Sequence, residues 1–123
     1  MVSEAEEHDA QRLVEALAVV GDRWSLAVVA ALAPGPRRFG EIASSLPGIS
    51  TNVLSRRLSD LQRDGVVRAE RYSDRPPRHI YSLSGRGRDL VGVTDALVAW
   101  MRSAEGDATP DRDENAGDDT FWA

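Results

Sequence analysis

The sequence predicts a mainly α-helical domain with one small β-hairpin, and three observations lead there. Apolar residues recur at helical spacing between Leu13 and Leu61 and again beyond Ser84. Glycine and proline punctuate those stretches at Gly21, Pro34-Gly35-Pro36, Pro47-Gly48 and Gly65. Between Val66 and Leu83 the pattern shortens to two strand-like runs around Ser73-Asp74-Arg75-Pro76-Pro77.

Leu13, Val14, Leu17 and Val20 make one face of a first helix, which Gly21 ends. Asp22 is placed to cap a second helix over Arg23–Ala33, apolar nearly all round and therefore assigned to the buried centre. A short helix runs from about Phe39 to Ser45. Ser50 caps a longer one over Thr51–Asp64, with Gly65 as its stop. Val66–Tyr72 reads as a strand, Ser73–Pro77 as a loop that proline keeps out of any ladder, and Arg78–Leu83 as the returning strand. Ser84 caps a last helix to about Arg102, with Leu90, Val93, Leu97, Trp100 and Met101 on one stripe. From Glu105 to Thr120 the chain is too polar to bury a core, so disorder is expected there. Phe121-Trp122 reads as either a docking motif or a frayed end. The order helix, helix, helix–turn–helix, hairpin, helix is that of a winged helix-turn-helix. The expected division is an acidic segment 1–10, a domain 11–102 and an acidic tail 103–123.

The 123 residues weigh 13.4 kDa, one domain's worth of chain with a modest core. No apolar run approaches the ~20 residues of a membrane span, and Glu4, Glu6, Glu7 and Asp9 stand where a secretion signal would be basic. The expected compartment is the cytoplasm. The absence of cysteine excludes disulfides, thiol nucleophiles and cysteine-ligated zinc. The net charge of −5 argues against a polyanionic partner, but its distribution reverses the argument. Residues 1–22 hold one Arg against six acids, residues 23–102 thirteen Arg against seven, and residues 103–123 one Arg against seven. A basic middle lies between acidic ends, and local charge sets the field a polyanion meets.

On the Thr51–Asp64 helix, Leu54, Leu58 and Leu61 share one face, and Asn52, Arg56, Ser59 and Arg63 the opposite one, flanked by Ser55. That outer face holds no acid and no apolar residue, whereas an ordinary solvated face, the alternative reading, mixes signs. Its N-terminal residues Thr51, Asn52, Ser55 and Arg56 are candidates for base readout in a major groove, since Asn pairs with adenine and Arg with guanine. Ser50, at the helix N-terminus, and Arg63 are candidate backbone contacts. Arg71, Arg75 and Arg78 around the Pro-Pro tip suit a minor groove or phosphates, and Arg37 and Arg38 suit phosphates. Leu13, Leu17, Leu90, Val93, Leu97, Trp100 and Met101 are the candidate contacts between two copies. Catalytic signals are nearly absent. His8 and His79 lack partners at ligand spacing, Gly85-Arg86-Gly87 is no dinucleotide fingerprint, and the calcium-loop likeness from Asp111 fails at Ala116 and Trp122. No cofactor is expected.

The blocks Gly21-Asp22-Arg23-Trp24-Ser25, Arg38-Phe39-Gly40-Glu41-Ile42, Leu46-Pro47-Gly48-Ile49-Ser50 and Asn52-Val53-Leu54 with Arg57-Leu58 resemble the HxlR-type winged-helix regulators, within the broader MarR-like group. Asp64-Gly65-Val66-Val67, Pro76-Pro77-Arg78, Tyr81-Ser82-Leu83-Ser84 with Gly87, and Trp100 extend the likeness through residues 11–102. The resemblance implies a homodimeric DNA-binding transcription factor, commonly a repressor, on a palindromic operator. It also implies a wing in the minor groove, dimerisation through the first and last helices, and Trp24 and Trp100 as packing residues. The chain departs from the family where His79-Ile80 replaces Val-Glu, and in lacking the N-terminal cysteine through which many members sense oxidants. A non-covalent, ligand-gated sensor responding to a small-molecule inducer, and a winged helix used only for protein contact, are the alternative functions.

Overall fold

The second helix is the hub around which the other elements assemble. The computed structural model describes residues 2–106. In chain order the elements are α1 (Glu4–Val20), α2 (Ser25–Leu32), β1 (Arg37–Arg38), α3 (Phe39–Ser45), α4 (Thr51–Arg63), β2 (Val67–Asp74), β3 (Pro77–Leu83), α5 (Gly85–Asp89) and α6 (Val91–Gly106). Ser25, Val28, Val29 and Leu32 of α2 are buried, and α2 packs against α3, α4, α6 and β3. Val20 of α1, Ile42, Leu54, Leu58, Leu61, Val66, Val67 and Leu83 complete the core. Each such side chain contributes about 1.5–3 kcal/mol by leaving water. The result is a mainly helical winged helix-turn-helix. No helix among the described residues is long and apolar enough to cross a membrane.

Several boundaries differ from expectation. α1 begins at Glu4, where Ser3 Oγ accepts from the Glu6 N–H at 3.1 Å, so residues 4–10 are its first turns rather than a separate segment. Its acids Glu4, Glu6 and Glu7 suit the positive end of the helix dipole. Asp22 Oδ2 accepts from the Trp24 and Ser25 N–H groups at 3.0 and 3.1 Å, but the regular helix starts only at Ser25, so Trp24 and not Asp22 holds the N-cap position. Ser50 caps α4 through a 3.1 Å bond accepted from the Val53 N–H. The chain leaves α4 through Gly65, whose φ of 77° is open to glycine at little cost.

The sheet has three strands in the order β1-β3-β2, all antiparallel. The two-residue β1 was not expected; it sets Arg37 opposite Tyr81 and Arg38 opposite Ile80. Ser73, Asp74 and Pro77, read as loop, belong to the ladder, with Asp74 opposite Pro77. Proline is tolerated there because it is the first residue of its strand. Arg75-Pro76 alone make the turn, across a cis peptide bond.

The expected single last helix is two, α5 and α6, broken at Leu90, whose N–H reaches back to Gly87 O at 3.0 Å. Different partners set the two axes. Ser84 Oγ accepts from the Gly87 N–H at 3.0 Å and donates to Gly65 O at 2.6 Å, tying α5 to the α4–β2 turn. α6 instead packs on α2, with Thr94 buried. α6 runs to Gly106, past Arg102 and into the segment expected to be tail. The rest of that tail, with Phe121-Trp122, lies outside the described residues.

Gly87 tests this anchoring, because a Cβ there would stand 2.1 Å from Val66 O, a backbone atom. Gly87→Ala is expected to cost about 1–3 kcal/mol and to lower the melting temperature by about 4–8 °C for each kcal/mol. Gly40→Ala, where a Cβ meets nothing within 4 Å, is expected to melt no lower than the parent chain. Thermal melts at one protein concentration check both.

Candidate nucleic-acid interface

The outer face of α4 is fixed by what its inner face buries. Leu54, Leu58 and Leu61 are buried, which leaves Thr51, Asn52, Ser55, Arg56, Ser59 and Arg63 exposed. The N-terminal half of that face thus presents a hydroxyl–amide–hydroxyl–guanidinium surface with no acid, with the exposed Val53 beside it. Arg56 has no ion pair among the described residues. Arg63, expected as a backbone contact, also pairs along its own helix, with Nη1 3.3 Å from Asp60 Oδ1 and Nε 3.4 Å from Asp64 Oδ1. Ser50 spends its oxygen on the Val53 N–H, and its own hydroxyl proton remains to donate.

Arg57 is the neighbour that sequence reading left without a role beyond the family pattern. Its side chain is 21% exposed and pairs with Asp60 on its own helix and, at 3.4 Å, with Asp22 at the start of α2. Asp22 also accepts from the Ser25 hydroxyl. One carboxylate therefore binds the start of α2 and clamps α4. Burial raises the Asp22 pKa, but the Ser25 hydroxyl, the Trp24 and Ser25 N–H groups and the Arg57 charge outweigh it and hold the carboxyl below 3.8. Asp22 and Arg57 lie too far apart in sequence for any helix or strand spacing to connect them.

The second basic surface lies along the sheet. Arg37, Arg38, Tyr72, Arg78, His79 and Tyr81 line an open groove of about 920 Å³, bounded by the first turn of α3. The Arg38 guanidinium lies over the Tyr72 ring, 4.8 Å from its centroid. The His79 and Tyr81 rings meet at 6.2 Å, and burial pushes the Tyr81 hydroxyl pKa up. Arg75, at the wing tip, and Arg78 are exposed with no ion pair among the described residues, whereas Arg71 Nη1 lies 3.7 Å from Asp74 Oδ1.

Leu13, Leu17, Val93, Leu97, Trp100 and Met101 are all exposed, and Val14 and Val98 join them. Leu90 differs: it is half-buried and packs on the core. Trp100, expected to pack, is 69% exposed in the single chain. Trp24 is half-buried, with the Arg23 guanidinium 5.1 Å from its ring centroid.

The HxlR-like helix-turn-helix family model matches residues 19–108. The chain is 38% identical over 84 residues to YtcD of Bacillus subtilis, an uncharacterized HTH-type transcriptional regulator, covering 68% of this chain and 67% of that protein. It is 35% identical over 81 residues to an uncharacterized HTH-type transcriptional regulator of Methanothermobacter thermautotrophicus, covering 66% of this chain but only 62% of that relative's length. Among solved structures, the redox regulator HypR in its oxidized form matches with a TM-score of 0.69 at 30% identity, covering 75% of this chain and 95% of that one.

The Asp22 clamp has a pH signature. A carboxyl whose folded pKa lies below its ordinary value stabilises fully above that value and loses the contribution as pH falls through the folded pKa. Asp22→Ala is expected to cost about 0.5–2 kcal/mol at pH 7, as for loss of a helix cap. The gap between variant and parent should narrow below pH 3.8. Urea melts at pH 7, 5 and 3.5 check this.

Proposed function

The chain belongs to the HxlR-like helix-turn-helix family of transcriptional regulators, and we propose that it acts as a homodimer that binds a palindromic operator in double-stranded DNA and represses transcription. The observation that carries this reading is the acid-free outer face of α4, set opposite three buried leucines. Thr51, Asn52, Ser55 and Arg56 read base edges. Arg37, Arg38, Arg75 and Arg78 contact phosphates, which supply most of the affinity and make it fall with salt. Ser50, Arg63 and Arg71 are further backbone contacts in this reading, with Arg63 and Arg71 each sharing its charge with a neighbouring carboxylate.

The dimer is supported by helices that have little to do within one chain. α1 buries only Val20, and α6 only Thr94. Their exposed Leu13, Val14, Leu17, Val93, Leu97, Val98, Trp100 and Met101 give more apolar surface than an isolated domain keeps in water. A two-fold dimer repeats the reading helix, with half-sites about 34–36 Å apart. With no cysteine in its 123 residues, this chain responds to an effector without thiol chemistry. A hollow of about 240 Å³ lined by Ala16, Val19, Val20, Val66 and Leu90, with Arg86 and Asp89 at its edge, offers a non-covalent inducer a place between α1 and the α5–α6 corner.

Fluorescence anisotropy on the DNA upstream of its own gene and on a shuffled control, at two salt concentrations, tests the function. Tighter binding to the native DNA with a steep salt slope is the expected result, and no binding to either at low salt rejects it. Arg56→Ala should relax sequence preference at a cost of about 1–3 kcal/mol, while Arg75→Ala should weaken all sequences alike. Uniform losses from both would overturn this division of roles. Leu97→Asp should convert a dimer to a monomer in sedimentation and abolish operator binding.

A further inference from the structure

We propose that Tyr72 is a positioning residue for DNA binding: its ring holds the Arg38 guanidinium over the wing groove as a preformed seat for a backbone phosphodiester. The inference rests on the DNA-binding reading above and adds to it a residue that does not itself touch the phosphate.

The backbone explains how a tyrosine on β2 reaches an arginine on β1, with β3 between them. Pairing across the hairpin passes from Arg71 opposite His79 to Ser73 opposite Arg78, so Tyr72 is an extra residue with no partner on β3. Such a bulge bends its strand and re-aims a side chain. The Tyr72 ring ends 4.8 Å from Arg38 Cζ, within cation–π range.

Arg38 is fixed at its other end as well. Its backbone pairs with Ile80, and its N–H donates to Glu41 Oε1 at 2.9 Å. The stem is therefore anchored by the sheet and by α3, and the head by the ring. A guanidinium held over a ring by cation–π attraction spends none of its N–H donors on a carboxylate, and those donors are what bind a phosphate in two-point fashion. A long side chain held in its bound shape loses less freedom when the ligand arrives.

The other arginines near the interface mark the difference. Arg57 and Arg63 are hydrogen-bonded to carboxylates and Arg71 stands 3.7 Å from one, so each is held beside an acid that repels an incoming phosphate. Arg38 is held by a ring, which does not. Among the described residues it has no carboxylate against its guanidinium. Glu41, the acid on the groove wall, takes the Arg38 backbone N–H, while Arg37 and Arg78 leave the groove basic.

The test is a double-mutant cycle in the full chain, read as affinity and salt slope on native upstream and shuffled DNA. Tyr72→Phe keeps the ring and should bind within about twofold of the parent. Tyr72→Leu should weaken both DNAs by about five- to tenfold with an unchanged melting temperature. Arg38→Ala should lower the salt slope by about one ion. In the Arg38→Ala background, Tyr72→Leu should cost nothing more. Arg38→Lys, which keeps the charge and loses the planar fork, should behave like Tyr72→Leu. Parental binding by Tyr72→Leu or Arg38→Lys overturns the proposal, as does an equal further loss from Tyr72→Leu when Arg38 is already alanine. A silent Arg38→Ala in a chain that binds DNA sinks the proposal alone. A parent chain that binds no DNA sinks the reading beneath it.

Discussion

Burial of Leu54, Leu58 and Leu61 against α2 is the constraint from which the interface follows. A helix has one rotation about its axis, and placing the leucines at 0–1% exposure leaves no freedom in where Asn52, Ser55 and Arg56 point. The Asp22–Arg57 pair reinforces that setting from the side, because it ties the flank of α4 to the first turn of α2. A displaced α4 would leave Arg57 half-buried without its partners, which costs more than the pair contributes when intact. Core packing and the clamp thus select the same orientation.

A second constraint governs the far end of the chain. Ser84 accepts from the Gly87 N–H and donates to Gly65 O, so the stop of α4, the start of β2 and the first turn of α5 meet at one hydroxyl. α5 is pressed so close that its third residue has no room for a Cβ. The chain then turns at Leu90, and α6 leaves along α2 with most of its apolar residues uncovered. The turn that closes the domain is also what directs an apolar helix outward. The same residues serve the monomer's fold and the proposed dimer's surface, with Leu90 on the core side and Val93, Leu97 and Trp100 on the open side.

Local chemistry announced what local chemistry decides. Ser50 and Ser84 cap, and Asp22 binds the N–H groups at the start of α2, because a short oxygen-bearing side chain before an apolar stretch has few other uses. The leucine spacing of α4 gave its buried face directly. What escaped was decided across the chain. β1 is two residues long, too short for any period, and exists because β3 has an edge to pair. The break at Leu90 depends on how Gly87 meets Val66, twenty-one residues earlier. The Arg57–Asp22 and Arg38–Tyr72 contacts join residues that no helix or strand repeat relates. Of the candidate interface, the polar outer face of α4 was visible in the sequence; which arginines stay unpaired was not.

That last distinction resolves the opposition between an acidic chain and an acidic partner. At physiological salt, charges farther than about 8 Å apart are largely screened. A phosphate in the wing groove therefore responds to Arg37, Arg38 and Arg78, and hardly to the chain's total of −5. Arg57, Arg63 and Arg71 add to the count of basic residues but are balanced by Asp22, Asp60, Asp64 and Asp74. The attraction is thus confined to the few sites where a guanidinium lacks a carboxylate. For the operator binding proposed above, that arrangement keeps affinity dependent on fit at the outer face of α4 rather than on charge alone.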